Sequence, residues 1–147
     1  MQPTSRGSIT FASGNFRDRP IINPNYLATK ADIDAFMHAT ELARSIGGGQ
    51  AFSDIRKSEL LPGPTVKSRD DMHQFLRQSC STFFHPTSTC KMGVGKTAVV
   101  DPELRVYGIQ GLRVADASIM PNITSGNTNA PSIMIGWKAA EFILSAA

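Results

Sequence analysis

The chain reads as an α+β protein, and three observations carry that reading. Near the N-terminus Ser8-Ile9-Thr10-Phe11-Ala12 alternates polar and apolar residues at period two, the pattern of a half-buried strand. Three stretches carry apolar residues at helical spacing: Ile33 to Ile46, Met72 to Cys80 and Ile133 to Leu144. Short apolar runs separated by turns lie between the second and third of these stretches. No internal repeat and no low-complexity tract interrupts them.

In chain order, the strand pattern is followed by Pro20-Ile21-Ile22-Asn23-Pro24-Asn25-Tyr26-Leu27, which reads as extended because each proline disfavours helix at the residue before it. Thr29 with Asp32 three residues on resembles a capping box, with Asp in place of Glu or Gln. The helix it opens runs to Ile46, with Ile33, Phe36, Met37, Leu42 and Ile46 on one broad buried face. Gly47-Gly48-Gly49 ends that helix as a C-terminal cap and turn; without a preceding strand it does not read as a phosphate cradle. Pro62-Gly63-Pro64 marks a loop. Ser68 and Asp71 start the second helix, whose apolar face is Met72, Phe75, Leu76 and Cys80. Ala98-Val99-Val100, Leu104-Arg105-Val106-Tyr107 and Leu112-Arg113-Val114-Ala115 read as short strands. Pro131 suits the first turn of a final helix with Ile133, Met134, Trp137, Ala140 and Leu144 on one face.

With 147 residues, 41% of them hydrophobic and 18% charged, the chain has the composition of a soluble globular protein with a real core. Its net charge of +3 comes from nine Arg and six Lys that are scattered rather than clustered, which argues against a nucleic-acid or membrane surface. No apolar run approaches the roughly 18 residues of a membrane span, and the first residues have no apolar signal core. Two cysteines, Cys80 and Cys90, make no disulfide framework, so a reducing, cytoplasmic setting is the expectation.

Few residues stand out for chemistry. His85 carries an imidazole, the type of side chain suited to take a proton from an alcohol near neutral pH. Taken alone beside Phe83 and Phe84, it reads more readily as a structural histidine. Asn127 can donate to an alcohol oxygen but cannot act as a base at neutral pH, and alone it reads as a turn residue. Asp116-Ala117-Ser118 follows a strand pattern and is an ordinary turn exit that could also accept a hydroxyl hydrogen bond. His38 and His73 fall on helices with no motif around them. Cys80, His85 and Cys90 lack any metal-ligand spacing, and no metal is expected.

Read together, the segments His85-Pro86-Thr87-Ser88-Thr89-Cys90-Lys91-Met92-Gly93, Gly111 to Pro121 and Asn127-Thr128-Asn129-Ala130-Pro131 resemble the C-terminal region of the glucose-methanol-choline (GMC) flavoprotein oxidoreductases, choline-dehydrogenase-like members above all. His85 to Gly93 matches the family's H-P-x-G-T-x-x-M-G motif except at Ser88, which replaces a glycine and so touches turn geometry rather than the base. Pro3-Thr4-Ser5-Arg6-Gly7 resembles the family's P-x-S-R-G opening. Asn127 lies eleven residues before Lys138, the spacing at which relatives place a His or Asn across from the motif histidine. Trp137 departs from the Glu of many relatives and reads as a packing residue. The resemblance covers Pro3 to about Ile143.

The resemblance implies that residues 1–84 belong to a substrate domain, an antiparallel sheet flanked by helices. Residues 85–147 would carry the active site and return to the FAD-binding domain with strands and a last helix. The G-x-G-x-x-G turn of that domain is absent from this sequence, so its Rossmann part would come from a missing N-terminal portion or a companion polypeptide. His85 and Asn127 would be catalytic, His85 as base and Asn127 positioning the alcohol oxygen. Asp116, Ala117, Asn127, Thr128, Asn129 and Pro131 would lie against FAD, with the positive end of the last helix favouring negative charge on the reduced ring. The implied reaction is oxidation of a small alcohol with hydride transfer to the flavin. A lyase on the same scaffold and a non-catalytic fragment or binding module remain open beside it.

Overall fold

The computed structural model describes residues 2–146. The alternating N-terminal segment forms strand β1 (Ser8–Thr10), which pairs antiparallel with β2 (Ile21–Asn23) in the register Ser8 to Asn23 and Thr10 to Ile21. The two strands make a two-stranded sheet. Ile9, Ile21 and Ile22 are exposed rather than half-buried, because a two-stranded ribbon has no second layer against which to hide a face.

Helix α1 (Lys30–Gly48) begins where the sequence places it, with the Thr29 side chain accepting from the Asp32 amide. The other half of the expected capping box does not form. The Asp32 carboxylate turns away from Thr29 and accepts from the Thr4 and Ser5 amides, both at 2.8 Å, and from the Thr4 hydroxyl at 2.9 Å. The Thr29 amide donates instead to the Ser5 hydroxyl oxygen. Of the predicted apolar face only Ile33 and Met37 are buried; Phe36, Leu42 and Ile46 are exposed, since the partner helix reaches only the N-terminal half. The helix ends on Gly48, and the Gly49 amide bonds the Ile46 carbonyl.

Helix α2 (Arg69–Ser79) has the complete capping box: Ser68 Oγ accepts from the Asp71 amide at 3.0 Å, and Asp71 accepts from the Ser68 amide at 3.1 Å. Its Met72 and Leu76 pack with Leu27, Ile33 and Met37 into one core, with Phe75 and Cys80 at the edge. Burial raises the Cys80 thiol above its usual pKa. Between the helices, the Arg44 guanidinium holds the loop by bonding Glu59 and the carbonyls of Gly63 and Val66. Thr4–Ser81 form one compact unit.

A second compact unit comprises residues 82–146 with 2–3. The runs expected as strands here meet only as isolated bridges: Met92 with Val100, Val100 with Val106 and Arg105 with Arg113. Turns at Asp101–Leu104 and Val106–Ile109 cut each run before a ladder can extend. Helix α3 (Asn129–Ser145) starts two residues before Pro131, which sits in its first turn. Ile135 and Ala139 are buried with Val100, Leu104, Ile119 and Met120, and Phe142 packs against that cluster. The face expected to be buried, with Ile133, Met134, Trp137 and Leu144, is the exposed one. The helix is apolar on nearly every side, so its periodicity could not choose a face. Trp137 does not pack; it is 70% exposed and donates its indole N–H to Glu141 at 2.9 Å. Among the described residues no helix is long and apolar enough to cross a membrane.

Candidate active site

His85 lies on an irregular segment whose backbone is bent by two residues in the left-handed region, Phe84 (φ 64°) before it and Ser88 (φ 75°) after it. The Phe84 amide donates to the Thr82 hydroxyl at 2.9 Å, which closes the turn leading into the histidine. The Ser88 conformation accounts for the glycine that the H-P-x-G-T pattern carries at this place; nothing in the structure explains the serine. Glycine adopts positive φ without penalty, whereas a side chain there carries strain.

The imidazole is half-buried. Its Nδ1 is 2.9 Å from Thr128 Oγ1, a hydrogen bond across 43 residues of sequence. Phe83 meets the ring edge-on, with centroids 6.2 Å apart. Thr128 is buried at the start of α3, and the preceding Asn127 is exposed. The segment carrying Asn127 is therefore joined to the histidine through its neighbour's hydroxyl.

Backbone bonds join the remaining motifs. The amide of Cys90 donates to the Ser118 carbonyl at 3.0 Å and that of Met92 to the Ile119 carbonyl at 2.7 Å. Residues Ala117–Ile119 form a single 3₁₀ turn capped by Asp116, whose carboxylate accepts from the Ser118 amide at 2.7 Å. Hydrogen bonds from the Ser118 side chain and amide hold the Asp116 carboxyl below its usual range, so it stays ionised on an exposed turn. Ile119 and Ile135 share the core, which seats α3 on this turn.

Thus the structure joins His85 directly to Thr128, and Asp116-Ala117-Ser118 directly to the segment that follows His85. Among the described residues it gives Asp116 and Asn129 no hydrogen bond to the histidine. Pro131 is half-buried in the first turn of α3, while Asn127 and Asn129 are exposed on either side of Thr128. The link between Thr128 and His85 escaped the sequence reading. A threonine just before a helix looks like a cap, and nothing local signals a partner 43 residues away. Two surface depressions, about 450 Å³ beside Arg105–Arg113 and about 420 Å³ over Ile133, Trp137 and Leu144, do not include His85. Among the described residues no group of three His, Cys, Asp or Glu could hold a metal.

Residues 3–136 match the family model described as GMC oxidoreductase. The chain belongs to the GMC oxidoreductase family. It corresponds to that family's C-terminal region, as the motifs around His85, Asp116 and Asn127 imply. It is 48% identical over 146 residues to the oxygen-dependent choline dehydrogenase of Brucella ovis, covering 98% of this chain and 27% of that protein. Among solved structures it resembles pyridoxine 4-oxidase from Mesorbium loti, with a TM-score of 0.89 and 41% identity over 95% of this chain and 27% of the other. It also resembles a formate oxidase of Aspergillus oryzae studied for modification of its FAD, with a TM-score of 0.88 and 32% identity over 98% of this chain and 26% of the other. The chain spans about a quarter of the length of the relatives it matches.

Proposed function

We propose that this GMC oxidoreductase segment supplies the proton-handling half of an FAD-dependent alcohol oxidation. The observation that carries the reading is the bond between His85 Nδ1 and Thr128 Oγ1, which ties the H-P motif to the segment bearing Asn127. In this reading the free nitrogen of His85 accepts the hydroxyl proton of a small alcohol. Asn127, exposed one residue from Thr128, donates its side-chain N–H to the alcohol oxygen and holds it during proton removal.

FAD fits the residues present. The N-terminus of α3 carries no side-chain cap, so its first-turn amides and the positive end of the helix are available to an electron-rich ring. Asp116 is ionised on an exposed turn, where it can accept from a hydroxyl of a cofactor chain. Asn127, Thr128, Asn129 and Pro131 would line the ring end; Asp116 and Ala117 would line the chain end. When bound, FAD would supply the hydride acceptor. The remaining, nucleotide-binding portion belongs to the longer polypeptide or to a companion chain. The small-molecule alcohol is the partner expected at His85.

The test is a chimera in which this chain replaces the corresponding segment of the Brucella ovis relative. His85→Ala should lower turnover by roughly 10²–10⁴-fold, the scale of losing a positioned general base. Asn127→Ala should cost less, because orientation is impaired while proton acceptance survives. Retention of the full rate in His85→Ala would overturn the assignment.

A further inference from the structure

We propose that Thr128 is a positioning residue for His85, and that it selects the ring nitrogen that reacts. Three observations point to this. First, Thr128 occupies the N-cap position of α3 yet makes no cap bond. A threonine there ordinarily spends its hydroxyl on the amide two or three residues ahead and has extended dihedrals. Thr128 instead has φ −81° and ψ −1°, and its hydroxyl meets His85 at 2.9 Å. Second, the diverted residue is held firmly. It is only 9% exposed, and its carbonyl accepts both the Ser132 amide at 3.0 Å and the Ser132 hydroxyl at 2.7 Å. Third, the ring is confined from another side by the edge-on contact with Phe83.

The chemical consequence follows from which nitrogen is taken. With Nδ1 engaged, Nε2 is the nitrogen left for a substrate. A neutral imidazole has one donor nitrogen and one acceptor nitrogen. If Nδ1–H donates to Thr128 Oγ1, Nε2 is the bare acceptor that a base requires; if the threonine hydroxyl donates to Nδ1, Nε2 carries the hydrogen and cannot accept a proton. The direction of this bond therefore decides whether the site is competent. The inference rests on the reading of His85 as base, and it assigns Nδ1–H as donor and Nε2 as the reacting nitrogen. A wrong tautomer at a catalytic histidine costs rate even where the geometry is intact.

Long-range ¹H–¹⁵N spectra of the ¹⁵N-labelled 147-residue chain, at a pH where the imidazole is neutral, read the tautomer directly. His85→Gln identifies the signals among those of His38 and His73. The wild-type chain should show His85 with Nδ1 protonated. Thr128→Val, which keeps the shape and removes the hydroxyl, should shift His85 toward the Nε2–H form, and Thr128→Ser should restore the wild-type pattern. An Nε2–H wild type, or a Thr128→Val pattern identical to wild type, overturns the proposal. Should Thr128→Val fail to fold, Thr128→Ala removes the same hydroxyl, and a His85 pattern in it identical to wild type equally overturns the proposal.

In the chimera, Thr128→Val should lower kcat on the order of 10²-fold, and Thr128→Ser should recover most of the loss. The two readings fail separately. If His85→Ala keeps its turnover while the tautomer responds to Thr128, the base is wrong and the positioning stands. If His85→Ala is inactive while the tautomer ignores Thr128, the base stands and the positioning is wrong.

Discussion

Replacing Asp32 with alanine should loosen the unit formed by Thr4–Ser81, and the structure gives the scale. The Asp32 carboxylate is 7% exposed and accepts from the Thr4 amide, the Ser5 amide and the Thr4 hydroxyl at 2.8–2.9 Å. Burial pushes its carboxyl upward, but the hydrogen bonds from Ser5 and Thr4 outweigh that and hold it well below the usual carboxylate range. In the alanine variant two backbone amides lose their acceptor. A buried orphan costs about 1–3 kcal/mol, and water partly replaces the acceptor at exposed Thr4 and half-buried Ser5, so the sum should fall near 2–3 kcal/mol. For a unit of this size that corresponds to roughly 10–20 °C in Tm.

Far-UV circular dichroism is the assay, since α1 and α2 lie in this unit. Trp137 fluorescence serves as the control, because the single tryptophan reports α3 in the other unit. The pH dependence has a definite sign. A carboxyl whose folded pKa is depressed contributes stability that is present above its unfolded value of about 3.9 and is lost as pH falls toward the folded value. The gap between wild type and Asp32→Ala should therefore be full above about pH 5 and shrink steadily below pH 4. A Tm difference under about 2 °C at pH 7, or a gap unchanged between pH 3 and pH 7, would refute the reasoning.

Two further substitutions test backbone geometry. Ser88→Gly should stabilise the second unit by up to about 1 kcal/mol, because φ 75° strains a residue with a Cβ; the gain is reduced by the lost contact with the Thr87 hydroxyl and by glycine's freedom in the unfolded chain. Denaturant unfolding followed by Trp137 fluorescence reads it, and a lowered midpoint would count against the strain argument. Gly7→Ala should destabilise the first unit by roughly 1–3 kcal/mol, since a Cβ there would collide with the Asn23 carbonyl oxygen and lie 2.7 Å from that of Pro24. An unchanged circular-dichroism melt would show that the β1–β2 ribbon yields freely.

What the sequence disclosed follows the range of the interactions involved. The Ser68–Asp71 box is complete because both partners lie within one helical turn and nothing competes for them. The Thr29–Asp32 pair has the same spacing, yet the carboxylate goes to Thr4 and Ser5, more than twenty-five residues away. Those residues belong to the P-x-S-R-G opening, so that motif acts in this structure as a clasp on the start of α1. The face of α3 was illegible for a different reason. Ile133, Ile135, Trp137, Ala139 and Leu144 together cover the helix, and only the position of Ile119 and Val100 decides that Ile135 and Ala139 go inward. Ser88 was visible as a departure from a motif, but its meaning required the dihedral angle.

The candidate site shows how such distant pieces come to depend on one another. His85 and Thr128 are too far apart in sequence for any local rule to join them, and their own hydrogen bond is too weak to bring the segments together, since a typical one contributes about 1 kcal/mol. The packing does that. The amides of Cys90 and Met92 fasten the segment after His85 to Ser118 and Ile119, and Ile119 shares its core with Ile135 on α3. Burial of that core fixes the start of α3 relative to the H-P segment. The hydroxyl of Thr128 then closes onto an imidazole already within reach, so its bond settles orientation and tautomer rather than assembly. The motif residues around the histidine thus act on the fold chiefly through their backbone, and in the proposed function the chemistry would rest on side chains at only a few positions: His85, Thr128 and Asn127.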